Sequence, residues 1–247
     1  MKIIAIINAR STSSRLPQKC FAQITDTFQT YQIIIKRAKL IGLPLVFGTS
    51  SDVSDDKLAK LASDEGIEVF RGERLNKIKR WYDCMSHFDA DAMICVDGDD
   101  LALDFNIARR LVNFIYEGGA DVYEAPEDII CGLITYAFTR DAVKKMYDVV
   151  GNPEADTDVI SRFIQAAGLR RAEIPLNDEE RGLDVRLTLD YPEDVVFFRK
   201  IYKIMPIDAN SVDIARKAIE LGLTKINWHR QKDFNQNQKK FNEQVNL

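Results

Sequence analysis

Between Asn8 and Lys19 the chain reads NARSTSSRLPQK, which sets Arg10, Arg15 and Lys19 among small hydroxyl residues and one proline. Cations fixed among hydroxyls can replace the water around an anionic polyphosphate. A solvated surface loop has a similar composition, so the loop gains its meaning from what accompanies it. Farther along, AMICVDGDD ends an apolar run, Ala92 to Val96, in Asp97, Asp99 and Asp100, and VRLTLDYPEDVVFF ends another in Asp190. Asp97-Gly98-Asp99 is a D-x-D at the end of an apolar run. It suits Mg²⁺, a hard cation that takes one or two carboxylates and bridges them to phosphates, although Asp and Gly also build ordinary turns. The second carboxylate run, at Asp190, favours the metal reading, because phosphate chemistry needs an ion held from more than one side.

Other polar and reactive groups have plainer readings. Pro192, Glu193 and Asp194 suit the first turn of a helix, where proline loses no hydrogen bond and acids complement the dipole, so Asp190 is the better ligand of that segment. Arg71 in FRGER follows a strand and could reach the same edge, or could simply be exposed. Cys95, flanked by Ile94 and Val96, reads as core, and Trp81, Tyr82 and Phe88 fall at helical spacing.

Positioning these groups is the task of an alternating α/β chain. Strands are expected at Lys2 to Ile7, Pro44 to Thr49, IEVF and Ala92 to Val96. Helices are expected in TYQIIIKRAKLIG, Asp55 to Glu65, Asn76 to Phe88 and Asn106 to Glu117. In such a sheet the carboxyl ends of parallel strands share one edge, where ligands bind. Beyond Ala120, DVYEA and CGLITYAF suggest strands of a smaller mixed α/β lobe, near 121–175, with helices near Arg140 to Val149 and Thr157 to Ala167. RAEIP and VRLTL read as further strands, and Pro192 to Ile204 and about Val212 to Leu221 as helices. Residues 1–230 read as one domain; the tail 231–247, rich in Asn, Gln and Lys, reads as a peripheral helix or a disordered segment.

The bulk properties narrow the classes. A chain of 247 residues is long enough for one large domain, burying roughly 70 to 75% of its unfolded surface. A net charge of −4 argues against a surface for nucleic acid or anionic membrane. Four cysteines without C-x-x-C spacing suit a reducing cytosol, and no leader or membrane-spanning run is visible, so a cytoplasmic protein is expected. With His87 and His229 as its only histidines, the chain offers neither a His-rich zinc site nor a Ser-His-Asp triad.

Taken in order, AR-x-x-S-x-RLP-x-K, FRG, GD after the central strand, and RLT-x-D-x-PED resemble the cytidylyltransferase family, especially its spore-coat polysaccharide branch, related to the CMP-ketodeoxyoctonate and CMP-sialic acid synthetases. INWHRQKDF resembles that branch's tail. The resemblance implies a Rossmann-like nucleotidyltransferase fold, dimeric through the smaller lobe, that uses CTP and Mg²⁺ to make a CMP conjugate of a small acidic or phosphorylated acceptor, and releases pyrophosphate. It assigns nucleotide binding to Asn8, Ala9, Arg10, Ser13, Arg15, Lys19, Arg71 and Asp97. Catalysis falls to Arg15, Lys19 and Asp99, and the metal to Asp99 and Asp190. The chain departs from that branch where Thr12 and Gln18 replace glycines, Asn8 replaces glutamine, and Asp100-Leu101 replaces a proline after GD. Two rival readings are a metal-dependent glycosyltransferase, which shares the D-x-D but needs no triphosphate loop, and a non-catalytic nucleotide-binding relative. As loop groups facing a ligand, Arg15 and Lys19 are expected to matter for catalysis more than for folding.

Overall fold

The structure is a computed structural model that describes residues 1–13, 15–152 and 154–244. Four apolar segments form parallel strands: β1 (Ile3–Asn8), β2 (Leu45–Ser50), β3 (Glu68–Gly72) and β4 (Ala92–Asp97). The helices between them are α1 (Thr30–Lys39), α2 (Asp56–Asp64) and α3 (Lys77–His87), and α4 (Phe105–Glu117) follows β4. The mixed part comprises β5 (Val122–Glu124), β6 (Tyr136–Thr139), α5 (Arg140–Val150), α6 (Ile160–Ala166) and β7 (Arg171–Glu173). After it come α7 (Pro192–Ile201), α8 (Ser211–Glu220) and α9 (Arg230–Gln244). Part of the expected tail is therefore helical; its last three residues lie outside the described residues.

Among the described residues, seven strands make one sheet in the order β3-β2-β1-β4-β6-β5-β7. Only β6 runs against the others: it pairs antiparallel with both β4 and β5. The alternation of β1 sends Ile3, Ala5 and Ile7 to one face and Ile4 and Ile6 to the other. Both faces are covered, as a parallel sheet requires. The first face packs on Ile33 and Ile34 of α1, Leu111 of α4, Phe197 and Phe198 of α7 and Ile214 of α8. The second packs on Trp81 and Met85 of α3, Met146 of α5 and Phe163 of α6.

Two expected strands differ. VRLTL forms no strand among the described residues; it makes an isolated bridge, Cys131 with Arg186, and Leu187 and Leu189 donate to the carbonyls of Cys131 and Asp99 at 3.0 and 2.9 Å. Its apolar alternation is real, since Val185, Leu187 and Leu189 are all buried. Its neighbours, however, are loops that cannot continue a ladder. CGLITYAF becomes a strand only from Tyr136, because Gly132 sits at φ +91° and turns the preceding residues onto Leu187.

Candidate active site

The register places Asn8 of β1 level with Gly48 of β2 and Asp97 of β4, so the loops after these strands leave from one edge. The loop after β1 is anchored by Asp55, whose buried carboxylate accepts from Ser11 N at 2.6 Å, from Ser11 Oγ at 2.7 Å and from the hydroxyl of Ser50. It closes where Gln18 N donates to Ser11 O at 3.2 Å, with Gln18 in the left-handed region at φ 56°. Glycine takes that conformation without strain, whereas Gln18 adopts it at a cost. The turn at Lys19–Phe21 then directs Lys19 inward.

Lys19 meets both carboxylates singled out in the sequence. Its Nζ donates to Asp99 Oδ2 at 2.5 Å and to Asp190 Oδ1 at 3.0 Å. Arg15 Nη2 donates to Asp190 Oδ1 at 2.5 Å, and Arg186 Nη2 to Asp190 Oδ2 at 2.8 Å. Asp190 does not end a strand. It is carried to Asp99 by the bond from Leu189 N to Asp99 O, and is braced by Asp194, which accepts from the N–H groups of Asp190 and Tyr191, each at 2.9 Å. Asp194 thus caps α7, as expected, and also pairs with the fully buried Arg186.

The charges explain one another. Burial opposes ionisation of Asp190, yet Lys19 and Arg15 hold its carboxyl far below the ordinary carboxylate range. Burial likewise opposes charge on Lys19, and Asp99 and Asp190 more than restore it. Asp97 is half-buried, and Lys77, at 3.3 Å from Oδ1, and the Thr135 hydroxyl, at 2.5 Å from Oδ2, keep its carboxyl low against desolvation. Asp99 is different: burial, with Asp190 and Asp97 nearby, raises it against the pull of Lys19. Asp100 is raised well above the usual value by burial and by Asp99 and Asp97. Asp99 and Asp100 are thus the two carboxylates at this edge whose ionisation their neighbours oppose.

The other expected nucleotide residues are more dispersed. Asn8 is spent on the fold, accepting from the Trp81 indole and donating to Ile6 O at 3.0 Å. Ala9 packs on Gly98, where an added Cβ would lie 2.6 Å from Ala9 Cβ and 2.8 Å from Asn8 O. Arg10 points to Arg74 O, at 2.6 Å, and Asp158, at 2.8 Å. Ser13 Oγ accepts from Leu16 N at 3.4 Å. Arg71 is held by Ser50 O and Asp52 O, both at 2.9 Å, and by Asp56 at 2.7 Å, rather than by the Lys19 cluster. A cleft of about 660 Å³ opens beside the loop, lined by Ser11, Thr12, Ser13, Ser54 and Lys57, a size that suits a small ligand.

The sequence reading missed Lys77, Asp55, Arg186 and Thr135. Only Arg186 left a signal, as a charge inside the apolar run VRLTL. Among the described residues no three His, Cys, Asp or Glu side chains form a metal cage. Mg²⁺ does not need one, because phosphate oxygens and water complete its shell. The close approach of the Asp190 and Asp97 carboxylates to Asp99 fits such an ion, as does Asp99 Oδ1, to which no described group donates.

An alternating sheet with carboxylates and a cationic loop at one edge defines a nucleotidyltransferase-like α/β fold. The cytidylyltransferase family model matches residues 4–239, and the chain belongs to that family. It is therefore a nucleotidyltransferase, and nucleotidyl transfer takes precedence over glycosyl transfer as the reading of its D-x-D. The chain is 26% identical, over 87% of its own length and 88% of the relative's, to the uncharacterized protein MJ1063 of Methanocaldococcus jannaschii. A cytidylyltransferase from Leptospira borgpetersenii superposes with a TM-score of 0.82 at 22% identity, covering 91% of this chain and 97% of that one. CMP:2-keto-3-deoxy-manno-octonic acid synthetase complexed with CTP gives 0.63 at 16%, covering 82% and 99%. These likenesses establish a shared fold. No helix among the described residues is long and apolar enough to cross a membrane.

Proposed function

We propose that the protein transfers a cytidylyl group from CTP to a small acidic or phosphorylated acceptor, of the sugar-acid type, and releases pyrophosphate. The observation that carries this reading is Lys19 lodged between Asp99 and Asp190 with Arg15 alongside. A phosphate oxygen, or a hydroxyl oxygen whose proton passes to solvent, attacks the α-phosphorus; the new P–O bond forms as the bond to the bridging oxygen breaks, and that electron pair leaves with pyrophosphate. Arg15 and Lys19 stabilise the charge that gathers on the leaving group, in a site already organised by Asp55 and Asp194. Asp99 and Asp190 would hold Mg²⁺ together with phosphate oxygens, and the bound ion supplies charge neutralisation and polarisation of the α-phosphoryl group. Catalysis then rests mostly on positioning. The CTP of the ketodeoxyoctonate synthetase complex and the family membership support the choice of nucleotide.

The test offers each nucleoside triphosphate with Mg²⁺ and a panel of sugar acids, sugar phosphates and phosphonates, and reads pyrophosphate. Release with CTP in preference to UTP, ATP and GTP is expected, and Arg15→Ala and Lys19→Ala should each lose about 1.5–3 kcal/mol of transition-state stabilisation. Equal use of all four nucleotides, or full turnover by both variants, would overturn the reading.

A further inference from the structure

A column of alternating guanidinium and aromatic groups ties the cations of the active site to the C-terminal helix. Arg230, at the start of α9, lies 5.1 Å from the Tyr191 ring centroid, and Arg186 lies 5.4 Å from the same ring. Arg186 is also 5.0 Å from the Phe234 ring, against which Arg15 lies at 5.8 Å. Every one of these spacings falls within the roughly 6 Å over which a ring quadrupole attracts a cation. The two guanidiniums on Phe234 are those that grip opposite oxygens of Asp190. Arg15 Nε is buried and makes no hydrogen bond, so its guanidinium is oriented by the Asp190 contact and by packing on the ring.

α9 has its own anchorage. Arg230 pairs with Glu193 at 2.7 Å, Gln231 Oε1 accepts from Arg186 Nη1 at 3.1 Å, and Asn237 Nδ2 donates to the Tyr191 hydroxyl at 3.3 Å. These contacts would keep the helix docked when the ring is altered. Phe234, the aromatic residue of the polar stretch QKDFNQNQ, is half-buried against the two arginines rather than in an apolar core.

We propose that Phe234 is a positioning residue for polyphosphate binding: its ring holds Arg15 against Asp190, so that the remaining N–H donors of Arg15 are set for phosphate oxygens. The ligand rests on the reading of Arg15 given under the proposed function. The test compares Phe234→Leu, which keeps apolar bulk, with Phe234→Tyr, which keeps the ring. Inorganic pyrophosphate binding is measured by calorimetry, CTP turnover by pyrophosphate release, and folding by the thermal midpoint. Phe234→Leu should weaken pyrophosphate binding and raise KM for CTP, each about 3- to 30-fold, with less change in kcat and little change in midpoint. Phe234→Tyr should restore both, and Phe234→Leu combined with Arg15→Ala should be no worse than Arg15→Ala alone. Wild-type pyrophosphate affinity in Phe234→Leu, multiplicative losses in the double variant, or a wild-type protein that does not bind pyrophosphate would overturn the proposal. If pyrophosphate binding responds as expected but CTP is not used, the proposed function fails and the role of Phe234 stands.

Discussion

At Lys19 one ammonium group keeps two neighbouring carboxylates, the half-buried Asp99 and the buried Asp190, at one edge of the sheet. Close carboxylates without a cation between them would repel, and one would take up a proton. These pairs lead us to expect that Lys19 and Arg15 contribute to stability in addition to the ligand-binding role proposed for them. Breaking a buried pair leaves an uncompensated charge, at a cost of about 3–5 kcal/mol where burial is complete and less at this partly open edge. Asp99→Asn and Asp190→Asn should each lose most turnover. Because both carboxylates contact the same ammonium, the double variant should be little worse than the worse single one. Turnover with denaturation midpoints measured in parallel checks this, and independent, multiplying losses would refute it.

At the level of elements, the site depends on a close approach of backbone. Gly132 lies at φ +91°, and a Cβ there would come within 2.4 Å of the Leu187 carbonyl carbon, in the segment that carries Asp190. Gly132→Ala should cost at least about 1–3 kcal/mol from strain alone and displace Asp190, so urea unfolding should shift to lower concentration and turnover should fall. The entry to β5 has a different fastening. Asp121 accepts from Arg170 Nη2 and N, both at 3.0 Å, and these bonds, with Lys145 nearby, hold its carboxyl down at about 2. A carboxylate whose folded pKa lies below its unfolded value of about 3.8 stabilises the fold above that value. Its contribution is lost as pH falls from about 4 through 2, and Asp121→Asn should flatten the acid limb of the stability curve in that window. An unchanged limb would place the acid sensitivity elsewhere.

For the molecule as a whole, β7 forms one end of the sheet and belongs to the mixed segment that the family resemblance associates with a two-fold interface. We expect a homodimer whose interface uses the same surface on both copies. Light scattering at micromolar concentration should give twice the chain mass, and a monomer would count against it. The interior is held by polar as well as apolar contacts. Arg37, fully buried on α1, donates to the carbonyls of Leu103, Ile207 and Ala209 and to the Ser211 hydroxyl, fastening the start of α8 to the loop before α4. No periodicity announces such a residue, because a buried cation satisfied by carbonyls looks in sequence like any exposed helix arginine.

Local pattern was enough to read the alternating α/β order, the β1–β4 strands to within a residue or two, the buried thiol Cys95, and a basic loop and two carboxylates, Asp99 and Asp190, that the fold brings together at Lys19. These follow from apolar periodicity, helix end signals and charge at strand ends, all short-range properties. Tertiary structure alone decided that VRLTL docks by isolated hydrogen bonds instead of joining the sheet, that Asn8 bonds Trp81, that Arg71 faces Asp56, and that Phe234 of the polar tail lies against Arg15. Such partners lie tens to hundreds of residues apart in the chain. Their pairing depends on which loops reach the same sheet edge, and that is set by the packing of the whole fold around β1 and β4.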